Sequence, residues 1–243
     1  MKKTILDTFI KKYNIGGNIE SVKIVVKDKE LITSAITDDK NVMAHVKVTD
    51  FTALDDIEIG IYDTAKLKQM IGVLGEDIEI STNTKNDKVT SLNFSDQSTN
   101  VQYVTSDLAV IPVAPNIKKI PDFNAEIELN NEFISKFIKA KNALSDVDTF
   151  TLTMNKKNKL EMVIGFTNTN SNKITLNITA KEGKDKVSKP ISFSAKYLKD
   201  ILTSNNDCEG AVLRSSDLGL ANISFTKDNF VSTYYLVEIK SVD

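Results

Sequence analysis

Histidine and cysteine, the residues most often used as metal ligands and as nucleophile–base partners, are scarce in this chain of 243 residues. His45 is the only histidine and Cys208 the only cysteine. His45 lies in the alternating run VMAHVKV and has no second histidine or cysteine with which to build a zinc site. Cys208 opens a strand-like run after a polar turn and reads as a packed thiol. A lone cysteine excludes an internal disulfide and suits a reducing compartment. The acidic pairs Asp38-Asp39 and Asp55-Asp56 fall at turns, where aspartate is expected for backbone reasons. No glycine-rich phosphate loop occurs. These residues predict a protein that is not an enzyme and that uses no metal and no cofactor.

What remains is lysine. Every base except Arg214 is a lysine, a mobile point charge that neutralises phosphate but lacks the planar fork that reads a guanine edge. A lysine surface therefore contacts polyanions and leaves base sequence unread. Against this stands the total charge: 31 bases and 33 acids give a net charge of −2. A nucleic-acid binder of that composition must segregate its charge by face.

The elements that carry the lysines follow from hydrophobic periodicity. Ile5, Phe9 and Tyr13, with Leu6 and Ile10, form one helical stripe over residues 4 to 13, stopped by Gly16 and Gly17. The runs SVKIVVK, ELITSAIT, VMAHVKV and IEIGIYD then alternate with period two and predict strands. Asp63 or Thr64 caps a second helix, AKLKQMIGVL, with Gly75 as its stop. DIEIST, KVTSLNF and VQYVTS close the first half as strands.

The same order returns after residue 124. A short strand, AEIEL, precedes a helix NEFISKFIKAKNAL, and TFTLTM, LEMVIGF, KITLNITA and PISFS follow as strands. Ser194 caps a fourth helix, AKYLKDILTS, and AVLRSS, LGLANISF and FVSTYYLVEI end the chain. Helix, strands, helix, strands, twice over, is a duplication carried by element order and not by matched residues. Short one-striped helices against half-buried strands predict an α+β fold with two similar domains of antiparallel sheets and all four helices on one face.

Residues 2 to 13, 64 to 74, 131 to 142 and 194 to 204 hold 11 lysines and 3 acids, which leaves 20 bases and 30 acids for the rest. The helices are thus positive and everything else is acidic. Projected at about 100° per residue, Lys11, Lys136, Lys139 and Lys196 point away from the apolar stripes, and Lys66, Lys68 and Lys199 flank them. Lys141 falls on the apolar side, so the helix ends before it or its stem snorkels outward. Lys3 and Lys12 share the first helix.

Residues 108 to 123 form a linker between domains at 1–107 and 124–243. Pro112, Pro115 and Pro121 keep helix and central strand out of it. Its apolar residues Leu108, Val110, Ile111 and Val113 suit a segment that lies on a surface, not a solvated tether. No apolar run approaches the roughly 20 residues of a membrane span. MKKTILDTFIKKY begins like a signal peptide, but Asp7 interrupts it and no small-residue cleavage site follows. The expected location is cytoplasmic, the host cytoplasm if the protein is viral.

DIEIGIYDTAKLKQMIGVLGEDIEIS at 56 to 81, VIPVAPNIKKIPDF at 110 to 123 leading into NEFISKFIKAKNAL, and the closing FVSTYYLVEI resemble a DNA polymerase sliding clamp, most nearly the trimeric clamp of T-even type bacteriophages. The last run resembles the C-terminal strand of proliferating cell nuclear antigen, the eukaryotic member of the fold. The resemblance implies a homotrimeric ring whose helices line a hole around double-stranded DNA, with Lys3, Lys11, Lys12, Lys66, Lys68, Lys136, Lys139, Lys196 and Lys199 facing the duplex. Helix packing also favours three subunits. Twelve helices about 10 Å apart enclose a hole of about 28 Å once helix thickness is removed, whereas eight leave about 15 Å, too narrow for a duplex about 20 Å across.

The resemblance further implies a DNA polymerase and an ATP-dependent clamp loader as partners. A client peptide would enter a pocket formed by Leu108, Val110, Ile111 and Val113 with Ile36, Val42, Leu236 and Val237. Ile36 and Val42 suit plain core equally well. Ring closure would pair VQYVTS with KITLNITA of a neighbour, through Val101, Tyr103, Ile174, Leu176 and Ile178. A phage tail or baseplate subunit is the alternative; it too would be strand-rich and oligomeric, but it has no need of lysines concentrated on helices.

Overall fold

A computed structural model describes residues 1–115, 117, 119–167, 171–178 and 186–240. The chain divides into two compact units: Met1–Pro115 with Thr226–Ser232, and Asn116–Phe225 with Thr233–Asp243. The division falls inside the proline-rich linker.

In the first unit, α1 (Lys3–Asn14) leads to strands β1 (Val22–Lys27), β2 (Glu30–Ile36), β3 (Val42–Val48) and β4 (Ile57–Ile61), then α2 (Thr64–Ile71) and β5 (Glu79–Lys85), β6 (Lys88–Ser95) and β7 (Asn100–Val104). The antiparallel order is β4-β1-β2-β3 in one sheet and β5-β6-β7 in the other. Alternation decides which residues enter the core: Val22, Ile24 and Val26 of β1 and Val42, Ala44, Val46 and Val48 of β3 are buried, and the residues between them are less so. α1 packs on β3 and beside α2, burying Phe9 edge-on against Tyr13 with ring centres 5.3 Å apart.

The second unit repeats the plan. Strand β8 (Ala125–Asn130) and α3 (Asn131–Ala143) precede β9 (Thr149–Met154), β10 (Leu160–Ile164), β11 (Ile174–Asn177) and β12 (Ile191–Ser194). Then come α4 (Ala195–Ser204), β13 (Gly210–Ser216), β14 (Leu220–Lys227) and β15 (Phe230–Val237). The sheet orders are β11-β10-β9-β12 and β15-β14-β13-β8. α3 lies beside α4, over a stack in which Phe150 meets Phe137 at 5.8 Å and Phe193 at 5.7 Å. In each unit four strands separate the two helices and three follow, as the element order predicts. The first unit's counterpart to β8 is reduced to a single bridge between Lys2 and Asp77.

Some boundaries differ from expectation. α2 ends at Ile71, one turn before Leu74, because Gly72 takes the cap and Val73 and Leu74 turn back onto Met70 and Ile71. α1 is turned at Ile15, a buried residue with φ of 47°, before either glycine is reached. β11 stops at Asn177; Thr179 and Ala180, expected in the same strand, lie outside the described residues.

One carboxylate holds the end of α2 in place. Asp96, in the β6–β7 turn, accepts hydrogen bonds from the Gly75 amide at 2.6 Å, the Thr99 amide at 2.7 Å and the Ser98 amide at 2.8 Å. These donors, the Gly75 amide foremost, favour the charged form and bring its pKa from 3.8 down to about 2. A depressed folded pKa contributes stability above the unfolded value and loses it as pH falls through the folded one. Asp96→Asn is therefore expected to lower the thermal midpoint at neutral pH. The difference from wild type should shrink between pH 3.8 and about 2; a difference independent of pH across that window in parallel melts would contradict the assignment.

Candidate nucleic-acid interface and linker pocket

Side-chain caps fix where α2, α3 and α4 begin, whereas α1 starts without one. The Asp63 carboxylate accepts from the Lys66 amide at 2.7 Å, Asn130 Oδ1 from the Phe133 amide at 2.8 Å, and Ser194 Oγ from the Tyr197 amide at 3.2 Å. α2 then exposes Lys66 and Lys68, α3 exposes Lys136 and Lys139, and α4 exposes Lys196, with Lys199 half-buried beside it. Lys136 is tied to Glu132 at 2.6 Å, and Lys196 stands 3.9 Å from Asp200 and 5.0 Å from the centre of the Tyr197 ring. Lys66, Lys68, Lys139 and Lys199 carry no ion pair among the described residues.

α1 contributes less than expected. Lys11 is half-buried, and Lys3 is half-buried with its Nζ donating to the Leu74 carbonyl at 2.8 Å. Lys12 does not belong to an exposed face at all: it is 0% exposed, with Nζ 5.9 Å from the centre of the Phe230 ring. It follows Phe9 by three residues, which places it beside the apolar stripe, where its stem is covered. Lys141 is buried for a similar reason. α3 continues past it to Ala143, and its Nζ donates to the Ser145 carbonyl at 2.8 Å, so it serves the helix C-terminus and not a ligand.

The start of the linker is fastened to β4. Ser106 donates its amide to the Gly60 carbonyl at 2.9 Å. The Asp107 carboxylate accepts from the Ala109 amide at 2.9 Å, capping a single 3-10 turn at Leu108–Val110, and is paired with Lys88 at 2.6 Å. Lys88 holds the Asp107 carboxyl below the usual carboxylate range, first by hydrogen bonding. Gly60 makes this approach possible: a Cβ there would collide with the Ser106 carbonyl oxygen and stand 3.3 Å from Ile111 Cγ1.

The linker's apolar residues therefore divide. Ile111 is 4% exposed and anchors the segment, whereas Val110 is 60% and Val113 86% exposed. Leu108 is half-buried. Ile36 and Val42 flank the turn closed by the Thr37 amide donating to the Val42 carbonyl at 2.9 Å; Ile36 is half-buried and Val42 is core. In the second unit Leu236 is core and Val237 half-exposed at the end of β15. Gly60, Lys88 and Asp107 were not singled out by sequence. An isolated glycine inside the apolar run IEIGI is the signal that marks Gly60, since glycine in a strand often means a close backbone approach.

Of the five interface residues, Val101 and Tyr103 point into their own unit and are buried, Tyr103 donating its hydroxyl to the Asp63 carbonyl at 3.1 Å. Asn100, Gln102 and Val104 are the exposed residues of β7. Ile174 and Leu176 of β11 are half-buried and alternate with exposed Thr175 and Asn177; Ile178 is half-buried just beyond. β7 and β11 are both edge strands of their sheets. Among the described residues no group of three acidic, histidine or cysteine side chains is placed to hold a metal ion, and no helix is long and apolar enough to cross a membrane.

No protein-family model matches the chain, and no curated protein matches it by sequence. Solved structures do. Proliferating cellular nuclear antigen from Entamoeba histolytica superposes with a TM-score of 0.73 at 16% identity, over 98% of this chain and 96% of that one. A. fulgidus PCNA, in a structure with the C-terminal region of FEN-1 bound, superposes with a TM-score of 0.74 at 15% identity, over 100% of this chain and 98% of that one. At these identities the likeness is one of fold, and it extends from end to end. Two units of antiparallel sheet, each with a pair of helices and joined by a proline-rich linker, make this chain a PCNA-like DNA clamp in fold.

Proposed function

We propose that the protein is a sliding clamp: a homotrimeric ring that encircles double-stranded DNA and tethers a DNA polymerase. The observation that carries this reading is the lysine exposure of α2, α3 and α4, on a fold that matches PCNA over nearly its whole length. Weak lysine–phosphate contacts exchange as the ring moves, and enclosure, not affinity, prevents its loss. The polymerase then rebinds the primer end at high effective concentration, which is the physical content of processivity. No base specificity is needed, and the near absence of arginine is consistent with none.

Within the clamps, the three stretches quoted above favour the T-even bacteriophage type, acting in the host cytoplasm and opened by an ATP-dependent loader. A client's C-terminal segment, like that of FEN-1 on A. fulgidus PCNA, would lie along the linker against Val110 and Val113. Ring closure would join the free edges of β7 and β11 by backbone pairing, which also removes two exposed strand edges per subunit.

The test is the solution mass. Three chains of 26.9 kDa make 80.7 kDa, and light scattering is expected to find that mass, with dissociation only on dilution. Ile178→Asp should give 26.9 kDa monomers with unchanged circular dichroism. A wild-type monomer at every concentration, or a trimer indifferent to Ile178→Asp, would remove the ring or the pairing respectively.

A further inference from the structure

Beside the linker anchor, the first unit carries a groove of about 610 Å³ between the outer edge of β4 and the ends of β6 and β7. It is separate from the lysine-bearing helices; the clamp reading uses Leu108 of its lining for the client and the run from Val104 to Ser106 for ring closure, and assigns nothing to the β4 edge or the acidic rim. Two features of this groove bear on what it takes. The first is an open strand edge. β4 is the terminal strand of its sheet, and among the described residues its only bond on the outer side is the Ser106 amide to the Gly60 carbonyl. Because Gly60 turns its carbonyl outward, Glu58, two residues earlier, turns its own amide and carbonyl the same way, into the groove. Glu58 is exposed, and among the described residues no strand pairs with it on that side.

The second feature is charge. Asp56, Glu58, Asp87 and Asp107 line the groove against one base, Lys88. Lys88 is already held by Asp107, and Lys23 pairs with Glu58 at 3.0 Å across an exposed contact; Asp56 accepts from the Asp28 amide at 3.0 Å. The groove therefore keeps a negative excess. Its apolar lining is Ile57, Val89, Leu108 and Val104, the last 73% exposed.

We infer that this groove docks an extended basic peptide segment of a partner protein, added as a strand to the edge of β4 from Ile57 to Gly60. Backbone bonds to Glu58 supply the register, and alternate side chains fall on opposite faces of the added strand. Lysines or arginines on one side meet the acidic rim while an apolar residue covers Val104. Acidic residues on an edge also discourage indiscriminate pairing, and the same charges that repel another acidic strand select a basic one.

The probe is a synthetic peptide of alternating lysine and valine, compared with its glutamate–valine counterpart, titrated into the intact protein at low salt and followed by calorimetry and amide chemical shifts. The basic peptide is expected to bind and to shift the Glu58 and Ser106 amides, and the acidic peptide is not. Glu58→Pro removes the outward amide without touching the bonds to β1 and should abolish binding. Should that variant unfold, Glu58→Gln with Asp87→Asn keeps the fold and should weaken binding about fivefold, in keeping with two exposed charges. The inference is overturned by failure of the basic peptide to bind, by equal binding to these variants, or by the same Glu58 shift arising on concentrating the protein alone, which would make a second copy the occupant.

Discussion

A chain carrying glutamate at Lys66, Lys68, Lys139 and Lys196 is expected to keep its fold and its oligomeric mass and to lose its hold on DNA by about two orders of magnitude or more near 100 mM salt. All four lysines are exposed, on three of the four helices, and surface substitutions of this kind usually change stability by less than about 0.5 kcal/mol. Each removed phosphate contact should also flatten the dependence of log affinity on log salt by about 0.9. The pairing of Lys136 with Glu132 and of Lys3 with the Leu74 carbonyl makes those two less effective targets. Filter binding across a salt series reads both quantities. Unchanged affinity with an unchanged slope would mean that the lysine-bearing helix faces do not meet phosphate, and the phage structural reading would gain by it.

Substitution in the linker should separate anchoring from recognition. Val110 and Val113 are solvent-exposed and make no demand on the fold, so Val110→Asp with Val113→Asp is expected to abolish stimulation of primer extension by the cognate polymerase at unchanged thermal stability and mass. Ile111→Asp should abolish stimulation too, but by a different route. It places a carboxylate at a site only 4% exposed, against Gly60, at a cost of about 1–3 kcal/mol or more for an unpaired polar group. The linker start then leaves β4, and the ring mass is unaltered because β7 and β11 are untouched. Full stimulation by the double valine variant would take the linker out of the client site.

Much of this was legible in the sequence. TFTLTM, VMAHVKV and AKYLKDILTS are the observed β9, β3 and α4 residue for residue, because in each the hydrophobic period and the bounding residues agree; Ser194 is both the expected and the observed cap. The exposed lysines of α2, α3 and α4 follow from the same periodicity. What the pattern did not carry is tertiary. Lys12 looks like a solvated base until the Phe230 ring, 218 positions along the chain, covers it. Val101 and Tyr103, which the resemblance implies at the ring interface, put their side chains into their own unit's core, and the edge they lie on offers backbone to a partner. Val42 and Leu236 are buried for the same reason. The glycine inside IEIGI signals a close backbone approach, but no local window connects it to Ser106 and Ile111, the residues that make that approach.

The measurement closest to the central claim is topological. The protein, at concentrations where it is trimeric, is incubated with nicked circular plasmid together with its loader and ATP, and the DNA is passed through gel filtration in salt high enough to strip charge-only binders. A sliding clamp stays with the circle and is released when one restriction cut makes the DNA linear. Loss from the circle at the same salt, or equal retention on circle and line, would contradict enclosure and with it the proposed function.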